Sequence, residues 1–106
     1  MTRAEILAEA SRIVTTERNA QHGAPENTFG LIAAYWSAHL DQKITAADVA
    51  AMMTLLKLAR LKANPGNLDN WIDGAGYLAC GGELATEARP WPAQTATPTA
   101  APPLGV

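Results

Sequence analysis

Apolar residues recur along this chain at intervals of three and four, a spacing that predicts helices almost throughout. In the first stretch Ile6, Leu7, Ala10, Ile13 and Val14 share one face, and Arg3, Glu5, Glu9 and Arg12 lie largely off it. Thr2-Arg3-Ala4-Glu5 has the Thr-x-x-Glu form of a capping box, so the helix starts there and fades around Glu17–Asn19. Gln21-His22-Gly23-Ala24-Pro25 forms a turn, with Pro25 at the first position of a second helix that reaches Leu40. Its expected buried face is Phe29, Ile32, Ala33, Trp36 and Leu40. Gly30 costs about 1 kcal/mol of helix propensity relative to Ala, which points to a close helix–helix approach.

Asp41-Gln42-Lys43 reads as a solvated link. Thr45 is then an N-cap with Asp48 at the third helical position, and Ile44 is placed to staple onto Val49 or a neighbour. The third helix, Ala46–Lys62, carries Val49, Met52, Met53, Leu56 and Ala59 on one face and Leu55, Leu58 and Leu61 on another. A helix apolar nearly all round is buried, either centrally or by a subunit contact. A bundle of roughly 85 residues has little surface to cover it, so a homo-oligomer is expected. Asn64-Pro65-Gly66-Asn67 ends this helix and caps a fourth, from about Leu68 to Cys80, with Trp71, Ile72, Ala75, Leu78 and Ala79 as its apolar set. Gly74 and Gly76 suggest tight packing, and Gly81-Gly82 should stop the helix.

From Arg89 the chain becomes PWPAQTATPTAAPPLGV, a Pro/Ala/Thr-rich composition that cannot build a packed core and is expected to be disordered. The organisation expected is a helical bundle over 1–88 and a tail over 89–106. No stretch alternates with period two, so the fold class is all-α, a four-helix bundle.

Composition agrees: 48% of residues are hydrophobic but only 6% aromatic, a mixture suited to close helix packing. A net charge of −2 leaves no basic footprint for duplex nucleic acid. Cys80 is the single cysteine, which excludes a disulfide framework and a Cys/His zinc cluster. With no leader-like segment and no apolar run long enough for a bilayer, the expectation is a cytoplasmic protein without a membrane partner.

The candidate chemistry lies between Thr45 and Tyr77. Lys57 and Arg60 stand one turn apart on the third helix, and Asp69 and Asp73 one turn apart on the fourth. Charge on largely buried helices is costly unless it is paired or coordinating. The four residues therefore form either a structural ion-pair network or a site for a polyanion and its metal. In the second case Asp69 and Asp73 hold Mg²⁺ together with phosphate oxygens, while Lys57 and Arg60 neutralise the phosphates. In the first, Lys57 or Arg60 pairs with Asp73, and Asp69 complements the positive end of its helix.

Asp48 and Glu26 have the same helix-start explanation. Yet His22, Gly23, Glu26 and Asn27 together have the residue types to read a base, a ribose or an anion, with Glu26 as a further metal candidate. Trp36, Trp71, Met52 and Met53 fit core spacing, and His39 reads as a surface residue. Tyr77, one turn after Asp73, is placed to hydrogen-bond the acidic pair. No serine-type nucleophile set, P-loop or dinucleotide fingerprint is present, and no catalytic residue is assigned.

The run His22-Gly23-x-Pro25-Glu26-Asn27-x-Phe29, then Trp36, then Asp48-Val49-Ala50-x-Met52-Met53-x-Leu55-Leu56-Lys57-x-Ala59-Arg60-Leu61, then Asp69-Asn70-Trp71-x-Asp73-x-Ala75-Gly76-Tyr77 resembles a family of small helical phage proteins of unassigned activity. That family is in turn similar to nucleotide modification associated domains and, more distantly, to the MazG-like all-α nucleoside triphosphate pyrophosphohydrolases. The resemblance implies a MazG-like bundle, usually dimeric, in host cytoplasm, handling a nucleotide or nucleotide-derived molecule. Those enzymes hold Mg²⁺ with acidic side chains from two helices. Their Glu-x-x-Glu motif is absent here, since Phe29 follows Glu26 by three, and their Glu-x-x-Asp has a loose counterpart in Asp69-x-x-x-Asp73.

Three functions follow: Mg²⁺-dependent pyrophosphohydrolysis, non-catalytic sequestration of a nucleotide or cyclic-nucleotide signal, or a structural, partner-binding bundle.

Overall fold

The computed structural model describes residues 1–17 and 25–86. They form four helices, α1 (Arg3–Arg12), α2 (Pro25–Leu40), α3 (Ala46–Ala63) and α4 (Leu68–Thr86), with a π-helical turn, Ile13–Glu17, continuing α1. No strand occurs among the described residues, so the all-α expectation holds. His22 and the 89–106 tail lie outside the described residues.

Local chemistry sets the starts. Thr2 Oγ1 accepts from Glu5 N–H at 3.1 Å while Glu5 Oε1 accepts from Thr2 N–H at 2.8 Å. That reciprocal bonding holds the Glu5 carboxyl below its ordinary value of 4.5. Thr45 and Asp48 repeat the device on α3, at 3.1 and 2.9 Å, so Asp48 serves as a cap. Pro25 is the first residue of α2. Asn67 Oδ1 accepts from Asp69 N–H at 3.0 Å and opens α4.

At the end of α2, Asp41 takes the left-handed conformation (φ 52°), and Gln42 N–H reaches back to Ser37 O at 3.1 Å. This is a Schellman closure with aspartate where glycine is usual. Ser37 Oγ then fastens the α2–α3 link, accepting from Ile44 N–H at 2.9 Å and donating to Ile44 O at 3.2 Å.

The main contacts run α2–α3, α3–α4 and α4–α1. At their junction Phe29, Ala33, Val49, Ala50, Tyr77 and Cys80 form the core, against which Val14, Ile32, Trp36, Ile44, Met53 and Leu84 pack. The Phe29 and Tyr77 rings tilt at 39° with centroids 6.0 Å apart, within the aromatic-pair range.

Several expectations change. α4 does not stop at Gly81-Gly82 but runs on to Thr86. A Cβ on Gly81 would sit 3.0 Å from Ala50 Cβ, so this glycine serves helix contact, and Leu84 beyond it packs on the core. Gly76 is the other close approach: a Cβ there would lie 2.9 Å from Val14 Cγ1. Gly74 is less crowded than expected, and Gly30 marks no close approach, since nothing lies within 4 Å of its would-be Cβ. Leu40 and Leu7 are more than half exposed rather than part of buried faces. α3 is not enclosed by the other described residues either. Val49 and Ala50 are fully buried, but Leu55 and Leu58 are 62% and 53% exposed, because only α2 and α4 flank the helix substantially.

Candidate functional site

The charged residues of α3 and α4 only partly converge. Lys57 Nζ meets Asp73 Oδ2 at 2.8 Å, and both side chains are mostly shielded, 12% and 23% exposed. Arg60, one turn on, is exposed and has no charged partner among the described residues. Asp69 is exposed in the first turn of α4, where its charge complements the helix dipole. The four side chains therefore make one close pair and two outlying charges.

For Mg²⁺ the donor set is thin. Among the described residues no three His, Cys, Asp or Glu side chains gather as they would around a metal. One Asp73 oxygen already bonds a lysine ammonium. Glu26 and Asn27 lie in the first turn of α2, and their side chains fall outside the described part. The described carboxylates thus supply one lysine-bound group and one exposed group, and no metal-binding cluster of three donors.

The ion pair sits between two hollows. On the α1 side, Asp73 lines a cavity of about 10 Å³ with Ala10, Ile13, Val14 and Tyr77, space for about one water. On the other side, Lys57 lines an open groove of about 240 Å³ between α3 and α4. Its walls are mainly apolar: Leu58, Leu61, Trp71, Ala75 and Leu78. The Trp71 indole is anchored by its edge, with Nε1 donating to Pro65 O at 2.8 Å, while the residue remains 48% exposed. Trp71 is therefore a groove wall and not the core residue that its spacing suggested.

Two polar residues deep in the groove were not singled out by sequence. Thr54, 8% exposed, donates its hydroxyl proton to Ala50 O at 2.9 Å and keeps its lone pairs. Asn70 is 6% exposed, and its backbone N–H bonds Asn67 O, but its carboxamide has no hydrogen-bond partner among the described residues. Leaving such a group unsatisfied costs about 1–3 kcal/mol. The available signal was periodicity: Thr54, Leu58 and Leu61 share a face of α3, and Asn70, Gly74 and Leu78 share one of α4.

Comparison with known proteins places this geometry in a family. A family model described as "Domain of unknown function (DUF6378)" matches residues 5–85, and the chain belongs to that family. It is 41% identical over 75 residues to the "Gene 55 protein" of Mycobacterium phage D29, covering 71% of this chain and 50% of that one. The "Gene 55 protein" of Mycobacterium phage L5 is 37% identical over 73 residues, covering 68% and 47%. The chain thus spans about half the length of these curated relatives, and the expected kinship with phage proteins of unassigned activity is found. No solved structure matches it. No described helix is long and apolar enough to cross a membrane.

Proposed function

We propose that this member of the family binds a nucleotide or nucleotide-derived small molecule without cleaving it. The observation that carries the reading is the α3–α4 groove, which brings Lys57, an anchored indole and the buried Asn70 together on otherwise apolar walls. Ligand sites have that composition, mostly apolar with a few placed polar groups. A nucleotide offers the matching parts: a flat ring for Trp71, and an anion for Lys57 in the groove wall and for Arg60 one turn beyond the lining, which has no charged partner among the described residues.

Binding is preferred to hydrolysis because Asp73 is engaged by Lys57 and the Glu-x-x-Glu pair is absent. The sequence motifs that resemble, distantly, those of MazG-like enzymes favour the nucleotide class, not turnover.

Calorimetry with nucleoside triphosphates and cyclic nucleotides, with and without Mg²⁺, followed by chromatography of the recovered ligand, tests this. Binding with intact ligand, weakened in Arg60→Ala, is the expected result. Consumed nucleotide would make the protein a hydrolase. No affinity for any nucleotide would leave a structural bundle, a reading favoured by the direct Lys57–Asp73 pair and by the exposed Leu55, Leu58 and Leu78, which suit a homo-oligomer contact.

A further inference from the structure

Asn70 is the least explained residue in the described structure. The residue is 6% exposed and lines a groove that opens to solvent, and its side chain bonds to no described residue. Buried polar side chains nearly always have a partner, so an unsatisfied one needs a reason. It is not a helix cap, since Asn67 holds that place with its Oδ1 on Asp69 N–H. It is not drawn into the Lys57–Asp73 pair, which closes on itself at 2.8 Å.

A carboxamide presents an acceptor and a donor side by side, and its natural complement is a donor and acceptor side by side on a flat molecule. Nucleobase edges have that form, and an Asn or Gln pairs with them in two bonds. The surroundings fit such a ring. Trp71 supplies an aromatic wall that cannot swing away while its Nε1 is held by Pro65 O. Gly74 adds no side chain to the space, and the nearest atom to its would-be Cβ is Lys57 Cβ at 3.9 Å. The groove, about 240 Å³, is below the usual range of roughly 300–1,000 Å³ for a drug-sized ligand, so it suits the ring part of a larger molecule.

We infer that Asn70 is the specificity-determining residue of this groove, reading the hydrogen-bonding edge of a nucleobase-type heterocycle stacked against Trp71. The inference rests on the nucleotide reading above and deepens it: Asn70 recognises the ring, while an anion carried by the ring falls to Lys57 in the groove wall and to Arg60 one turn beyond the lining. A ring with no adjacent donor and acceptor would leave the carboxamide unsatisfied and bind poorly.

The test uses the full chain and three sets of probes: the neutral nucleosides adenosine, guanosine, cytidine and uridine, their 5′-monophosphates, and ribose 5-phosphate. Proton–nitrogen NMR follows the Asn70 side-chain amide and the Trp71 indole N–H, the latter identified with Trp71→Phe. At least one nucleoside should shift both signals. Asn70→Leu should weaken that binding about tenfold or more while keeping the melting temperature, because its own unsatisfied group has been removed. Gly74→Leu, which fills the groove from the helix side, should abolish binding in a folded protein.

If ribose 5-phosphate binds as tightly as the monophosphates, the ring reading falls while an anion site stands. If nucleosides bind but gain nothing from a phosphate, the ring reading stands and the anion role of Lys57 and Arg60 falls. A loss of melting temperature in Asn70→Leu with affinity unchanged would mean that only a structural water satisfies the amide. That outcome overturns the inference, as does silence from all three sets.

Discussion

The α3–α4 pair has two faces built on opposite plans. Toward α2 it is closed by small residues: Val49 and Ala50 lose all solvent contact, and Gly81 lets Ala50 approach within 3.0 Å of a would-be Cβ. On the other side it stands apart enough to leave a groove of about 240 Å³, walled by Leu58, Trp71 and Leu78, each about half exposed or more. Both faces are rich in apolar residues, so hydrophobicity alone does not separate them. What separates them is the size of the residues at the contact and the polar groups beneath. Alanine and glycine allow helices to close, as Phe29 and Tyr77 then fill the remaining space. Asn70 on the far side opposes such closure, because a dry interface would strand its carboxamide, whereas Thr54 and Lys57 already have partners in Ala50 O and Asp73.

Substitutions that treat the two faces alike would sharpen or break this contrast. Phe29→Ala on the closed face should cost about 3–5 kcal/mol in urea denaturation, whereas Leu58→Ala on the open face should stay within about 0.5 kcal/mol. Equal costs would show that another molecule, a second copy included, covers the open face in solution.

At the α1 edge of the closed side, Gly76→Ala should cost about 1–3 kcal/mol, since the new methyl overlaps Val14 Cγ1, a branched side chain with little rotamer freedom. Combining it with Val14→Ala should recover part of that loss, visible as coupling in a double-mutant cycle.

The ion pair beneath the groove should be worth less. Asp73→Asn leaves the mostly shielded Lys57 ammonium without its counter-charge, for a loss of about 1–2 kcal/mol, between the exposed and buried limits. Replacing both partners, Lys57→Met with Asp73→Leu, should restore most of it by thermal denaturation. A double variant as unstable as the single one would mean that the charges hold the helices in place.

The smallest effect concerns the exposed start of α1. Glu5 is held below the ordinary value of 4.5 by its bonds to Thr2, and Glu9 by its hydrogen bond to Arg12. A carboxyl lowered on folding stabilises fully above its unfolded value, and that contribution is lost as pH falls through the folded one. Amide exchange in α1 should therefore accelerate as pH drops below about 4.5, relative to α3, once the intrinsic pH dependence of exchange is removed. Glu5→Gln with Glu9→Gln should flatten the difference. Unchanged acid sensitivity in that variant would place its origin elsewhere.

Much of the fold was legible from local chemistry. The two capping boxes, the Pro25 start and the Asn64–Asn67 break are written in adjacent residues, and their energetics need no partner from elsewhere in the chain. The Lys57–Asp73 pair was legible as one of two alternatives, because helical spacing places both residues but does not say which charge meets which. The end of α4 was misread at Gly81-Gly82: a glycine that ends a helix and one that admits a neighbouring helix look identical until Ala50 is seen beside it. Asn70 was hidden for a similar reason. Three residues into a helix, beside two asparagines and an aspartate, it reads as part of a polar start.

By itself, then, the sequence determined the number, class and starting points of the helices, since those depend on hydrophobic period and on bonds between residues a few positions apart. Which face of α3 closes, which stays open, and which polar groups are left facing the opening were decided only by tertiary structure. Burial and hydrogen-bond satisfaction are properties of what lies across the gap, and no stretch of one helix contains that information.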